Sequence, residues 1–258
     1  AVLRFAGAVP VSVPLREEHA FRMQPADIAA RITPKTRLLI LNSPQNPTGG
    51  VMTAAEMAGA YELAQRHHFY LLSDEVYCKM TYDAPAASPS IHDAARERVI
   101  VLDGFSKAYA MTGWRLGYVI GPAPVVAKMS LLLNLIISCV PTFIQAGGVA
   151  ALEGDQAPAR VMMAEYRRRR DALVSGLNRL PGVRCVTPDG AIYAFPNITG
   201  TGLNSQQFTD RMLERAGVAL LPGDNFGPGG EGYVRLCYAT SMAIIQRALT
   251  LMAVALRG

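Results

Sequence analysis

Short aliphatic blocks that end abruptly in polar or small residues alternate with longer amphipathic stretches through the first half of the chain. Residues 37–42, 69–73, 99–102 and 116–120 read as strands, the run at 99–102 as a buried one. Residues 9–13 alternate like another strand, and residues 23–31 read as a short helix. Thr53 and Glu56 are spaced as a capping box for a helix reaching about His67. Strands alternating with helical segments predict a doubly wound, mostly parallel α/β sheet. From about Ala146 the pattern changes. Met163, Tyr166, Leu173, Leu177 and Leu180 fall on one stripe of a long amphipathic helix. Short strands are predicted at 183–186, 192–195, 219–221 and 233–237, with helices at 205–216 and 242–256. The expectation is a large domain over 1–146 and a smaller α+β domain over 147–258.

Composition narrows the class without choosing a chemistry. Half of the 258 residues are hydrophobic, enough for a substantial core. The net charge of +5 comes from dispersed residues apart from Arg167 to Arg170, which read as a solvated helix face. Arg170 lies in line with the apolar stripe, which predicts a buried acidic partner. No basic stripe with interleaved aromatics is visible, so nucleic acid is not an expected partner. Cys78, Cys139, Cys185 and Cys237 are far apart and form no CxxC pair. That argues against a zinc or other metal site and against a disulfide scaffold, and fits a reducing cytoplasm. Residues 1–13 lack a basic start and a continuous apolar core, so no signal peptide is expected. Residues 129–144, the most apolar long segment, are interrupted by Asn134 and Pro141 and are too short to span a bilayer. A soluble protein with no membrane partner is expected.

Three strand ends deliver polar residues to one sheet edge: Asn46, then Asp74 with Tyr77, then Lys107. Taken singly, Asn46 is a turn residue, Asp74 a helix cap, Tyr77 core packing and Lys107 a surface lysine. Together they suit a ligand carrying an aldehyde and a phosphate, such as pyridoxal phosphate. Lys107 supplies an amine for a Schiff base. A carboxylate opposite a pyridine nitrogen, Asp74, keeps that nitrogen protonated. Asn46 and Tyr77 can donate to a phenolic oxygen. Arg115, beside the single tryptophan, supplies a bidentate phosphate partner.

Asn46-Pro47-Thr48-Gly49, Asp74-Glu75-Val76-Tyr77 and Ser106-Lys107 with Arg115 resemble the class I/II aminotransferases of fold type I. These are pyridoxal phosphate enzymes similar to bacterial aspartate and aromatic aminotransferases. Residues 190–196 and 233–239 resemble the family's small-domain signatures, so the resemblance covers essentially the whole chain. It implies a three-layer fold with a smaller C-terminal domain. It also implies a homodimer, and ping-pong transamination between an L-amino acid and a 2-oxo acid. Lys107 would hold the cofactor and then serve as general base at the substrate Cα. Asp74 and Tyr77 would assist. Ser106 and Arg115 would meet the phosphate. Arg235, together with Asn46, would clamp the substrate carboxylate.

Two departures from the family pattern stand out. Gly104 occupies the place, three residues before the lysine, where relatives often carry a phosphate-binding serine, which Ser106 would partly replace. The family's long segment preceding the position of Ala1 is not in this sequence. A partial aminotransferase is therefore expected, with unpaired strand edges near residues 9–13 that favour association. The alternatives are a relative using the same site for a lyase reaction at Cα or Cβ, and a catalytically incompetent fragment. The glycine-rich loop at 222–232 resembles a phosphate cradle only superficially, having no Walker spacing. Residues 134–145 carry no arginine or lysine, which disfavours a dicarboxylate clamp from that segment.

Overall fold

The computed structural model describes residues 2–83 and 85–257. After a single helical turn, α1 (Val2–Phe5), and a short helix, α2 (Pro25–Ala29), comes the first strand, β1 (Leu38–Asn42). Helix α3 (Ala54–Arg66) follows, then β2 (Tyr70–Asp74), β3 (Val99–Gly104) and β4 (Gly117–Ile120). These strands form a sheet in the order β1-β2-β3-β4, with β1, β2 and β3 parallel and β4 antiparallel. The sheet is thus mixed and mostly parallel, as the alternating pattern predicts. Parallel pairing puts the carboxyl ends of β1, β2 and β3 on one edge, with Asn42, Asp74 and Leu102 side by side in register.

Helix α3 begins where its capping box predicts. Thr53 Oγ1 accepts from the Glu56 N–H at 3.2 Å, and Glu56 Oε2 accepts from the Thr53 N–H at 2.7 Å. The helix buries Met57, Ala60 and Ala64 against Leu39, Leu41 and Leu71 of the sheet. Strand side chains alternate between faces, so Leu38, Ile40, Tyr70 and Leu102 point away from that core and are 38–42% exposed.

Helices α4 (Ala123–Ile137), α5 (Thr142–Glu153) and α6 (Ala157–Leu177) follow. The apolar segment at 129–144 is therefore divided between two helices. A second sheet, antiparallel in the order β5-β7-β6, is built from β5 (Tyr193–Ala194), β6 (Leu221–Pro222) and β7 (Val234–Cys237). Helices α7 (Ser205–Ala216) and α8 (Met242–Ala255) cover it. The second core joins Leu173, Leu177, Phe208, Met212 and Met252 to Tyr77 and Met80 from the loop after β2. Glu17 fastens the early chain to this region. Its Oε2 accepts from Arg184 Nη2 at 2.8 Å, Asn197 Nδ2 at 3.1 Å and the Tyr233 hydroxyl at 3.0 Å.

Three expectations need correction. Residues 9–13 form no strand: the segment is irregular, with Val9 86% and Val11 60% exposed. Pro10 interrupts it, and no strand lies beside it among the described residues to complete a ladder. The strand expected at 183–186 reduces to one bridge between Arg184 and Asn197, because the Asn178 side chain captures the Cys185 N–H at 2.7 Å. Finally, the Arg167 to Arg170 run is not a uniformly solvated face. Arg170 is only 5% exposed and pairs with Asp83 and Asp171, so the acidic partners exist as expected, but they are exposed rather than buried. It also donates to the Pro188 carbonyl at 3.1 Å and lies over the Tyr82 ring.

Candidate active site

The sheet's carboxyl edge is where the sequence-predicted residues meet. The loop after β1 carries Asn46, whose N–H donates to Asn42 Oδ1 at 2.8 Å. Asn42 Nδ2 in turn donates to the Asp74 carbonyl, at 3.2 Å. One asparagine side chain therefore ties the ends of β1 and β2 together. The loop closes internally as well: Gln45 Oε1 accepts from both the N–H and the hydroxyl of Thr48, at 3.1 and 2.7 Å. Gly49 has φ +74°, and a Cβ there would collide with Pro188, so only glycine fits the turn.

After β2 the backbone makes successive tight turns. The Val76 N–H donates to Asp74 Oδ1 at 3.3 Å, and the Met80 N–H to the Tyr77 carbonyl at 2.7 Å. Asp74 forms no ion pair among the described residues. Burial raises its carboxyl pKa against the effect of the Val76 N–H, and Asp103 adds to the rise. Tyr77 is buried, and its hydroxyl lies 3.0 Å from that of Tyr193. Burial, the bond to Tyr193 and nearby negative charge push the Tyr77 phenol far above its ordinary range, so it remains a neutral hydrogen-bonding group.

Lys107 sits between the buried Phe105 and Ala108, in a turn closed by the Ala110 N–H on its carbonyl at 3.1 Å. Its Nζ is 5.9 Å from the centroid of the Tyr77 ring. From the second sheet, Arg235 Nη1 donates to Asn46 Oδ1 at 2.9 Å, and the guanidinium lies over Tyr193. Asn46, Tyr77, Lys107 and Arg235 are thus joined through Tyr193 into one cluster, with Asp74 at the strand end beside it. Among the described residues no hydrogen bond or ion pair joins the Ser106 or Arg115 side chain to this cluster. Arg115, with φ +53°, is exposed and donates to the Thr112 carbonyl at 2.9 Å.

A family model described as aminotransferase class I and II matches residues 1–251. The chain belongs to the class I and II aminotransferases. It is 39% identical to an aspartate aminotransferase of Pyrococcus horikoshii over 257 residues, covering 99% of this chain and 66% of that relative. It is 41% identical to the arginine–pyruvate transaminase AruH of Pseudomonas aeruginosa over 236 residues, 92% of this chain and 60% of the relative. Among solved structures, an aromatic aminotransferase from Pyrococcus horikoshii superposes with a TM-score of 0.95 at 41% identity, covering 98% of this chain and 68% of that one. The chain therefore spans about two thirds of the length of these relatives, within the fold type I α/β architecture of the family.

Tyr193 in the cluster, and Phe226, whose ring centroid lies 4.8 Å from the Arg235 guanidinium carbon, are not singled out by the sequence. Tyr193 lies within the stretch 190–196 that carries part of the family resemblance, and Phe226 within the glycine-rich loop at 222–232. An aromatic residue on a short strand or a loop reads as packing. Only the fold shows that both rings touch Arg235.

Proposed function

We propose that this chain carries the pyridoxal 5'-phosphate site of an aminotransferase acting between an L-amino acid and a 2-oxo acid. The supporting observation is the convergence of Asn46, Tyr77, Lys107 and Arg235 from four separate segments onto one sheet edge. The residues present fit the cofactor. Asp74 is a partly buried carboxylate with no cationic partner among the described residues, an arrangement that would favour a protonated ring nitrogen. Because Asn46 Oδ1 is engaged by Arg235, its amide nitrogen is left as a donor for a phenolic oxygen, and the neutral Tyr77 is a second donor. Ser106 and Arg115 are the candidates for the phosphate.

When bound, the cofactor supplies an aldehyde carbon and an electron-withdrawing ring. Lys107 is the residue that would hold the cofactor through its Nζ, and its free amine would be the base positioned to take a proton from the substrate Cα. Arg235 holds the substrate carboxylate and so fixes which Cα bond faces Lys107. Asp74 would favour the protonated form of the ring nitrogen. The named relatives are transaminases, which favours amino transfer over elimination.

The same reading assigns residues 1–146 to the cofactor domain and 147–258 to a smaller domain. It places the protein in the cytoplasm as a homodimer. Apolar surface exposed on the sheet and on α4 supports association. No helix among the described residues is long and apolar enough to cross a membrane. The deciding measurement is visible absorption with added pyridoxal 5'-phosphate. Wild type is expected to develop a band that amino acids bleach and that Lys107→Ala lacks. Identical spectra for the two proteins would remove Lys107 from the site.

A further inference from the structure

Arg235 is flanked by two aromatic rings. Its guanidinium carbon is 4.6 Å from the centroid of Tyr193 and 4.8 Å from that of Phe226. Asn46 takes one N–H in a hydrogen bond at 2.9 Å. We propose that Tyr193 and Phe226 are positioning residues that cage Arg235 for carboxylate binding, and that the loop at 222–232 serves to aim Phe226. The proposal rests on the reading of Arg235 as the carboxylate site.

The glycines of this loop act as closures. Gly223 and Gly230 pack backbone to backbone so tightly that a Cβ on either would collide with the carbonyl oxygen of the other. The Gly223 N–H donates to the Tyr233 carbonyl at 2.9 Å, sealing the loop against the start of β7, which carries Arg235. Phe226 closes the helical turn Gly223–Phe226, and its ring meets the edge of Phe195 at 6.3 Å. Phe195 in turn stacks on Tyr233 at 5.1 Å with an interplanar angle of 3°. Phe226 is thus held from behind by a rigid aromatic pair.

A guanidinium is flat, weakly hydrated and stacks on aromatic faces, leaving its in-plane N–H groups free for a carboxylate. Fixing its plane beforehand reduces the ordering lost when the ligand arrives. Tyr193 adds a link that Phe226 lacks: its hydroxyl meets that of Tyr77, so one side chain touches both the carboxylate site and the cofactor edge.

The test is calorimetric binding of 3-phenylpropionate to the 258-residue chain in saturating pyridoxal 5'-phosphate, with the neutral 3-phenylpropionamide as control. Phe226→Leu is expected to weaken the carboxylate about tenfold and the amide less than about twofold. Phe226→Tyr keeps a ring over the guanidinium and is expected to bind within about twofold of wild type. In an Arg235→Lys background, which itself weakens the carboxylate, adding Phe226→Leu is expected to change affinity less than about twofold. Tyr193→Leu should behave as Phe226→Leu does, while Tyr193→Phe should retain carboxylate affinity. Equal losses for both probes in Phe226→Leu, or a Phe226→Tyr loss as large as that of leucine, would overturn the cage. Undiminished carboxylate binding by Arg235→Lys, or none by wild type, would instead overturn the reading of Arg235 on which the cage depends.

Discussion

Gly104, where the family resemblance implies a serine, is explained by how closely β3 and β4 approach. Gly104 and Gly117 are register partners, and a Cβ on Gly104 would lie 3.1 Å from the Leu116 carbonyl oxygen and 3.3 Å from the Gly117 Cα. Gly104→Ser is therefore expected to destabilise the fold by about 1–3 kcal/mol, through crowding of one backbone against another. Thermal or denaturant unfolding would register it, and an unchanged midpoint would show that the strands can separate freely. At this scale the sequence is informative where a polar residue follows a strand end. That Asn46, Asp74, Tyr77 and Lys107 come to one sheet edge is legible because an apolar run precedes each and a turn signal accompanies it. Tyr193 and Phe226 are not, since nothing local separates a ring that packs in the core from one that packs on a guanidinium.

Among the elements, β3 depends on a carboxylate outside it. Asp93 is 5% exposed and accepts from the N–H groups of Glu97, Arg98 and Val99 at 3.2, 2.9 and 2.8 Å. Burial alone would raise its pKa, but these three donors hold the carboxyl below its ordinary value. A lowered folded-state pKa means that this stabilisation is fully present above the ordinary carboxyl range near about 4 and is lost as pH falls through the folded value. Asp93→Ala should cost about 3 kcal/mol near neutrality. The gap between the melting temperatures of wild type and variant should narrow as pH drops below about 4. A gap that stays constant with pH would show that the carboxylate charge contributes nothing. The capping box of α3 was readable because both of its partners are local in sequence. The stretch at 9–13 was misread for the opposite reason: alternation predicts a face, whereas a strand also needs a neighbour.

Over the whole molecule, the distribution of apolar surface is uneven. Helix α4 has no buried residue, and Leu132, Leu135 and Ile136 are 57%, 74% and 75% exposed. Leu38 and Tyr70, register partners in β1 and β2, add an apolar strip on the outer sheet face. Surfaces of this kind mark association. Sedimentation velocity should show the chain self-associating, with little dependence on salt because the contact is apolar. A Leu135→Glu/Ile136→Glu variant should sediment closer to the monomer. A monomeric wild type would show that this surface tolerates water. The hydrophobic pattern revealed a mostly parallel sheet, but it could not reveal which faces would lack a cover, since burial depends on partners distant in sequence.

The packing of Tyr77 and Met80 bears on how such a chain comes into being. These residues belong to the core that closes around Met252 and Ala255, near the opposite end of the chain. During synthesis residues 2–120 already carry every strand of the first sheet, whereas the Tyr77 hydroxyl lacks its partner Tyr193 until the second sheet is made. A nascent chain stalled before residue 193 would then hold the strands of the first sheet without the Tyr77–Tyr193 contact of the candidate site.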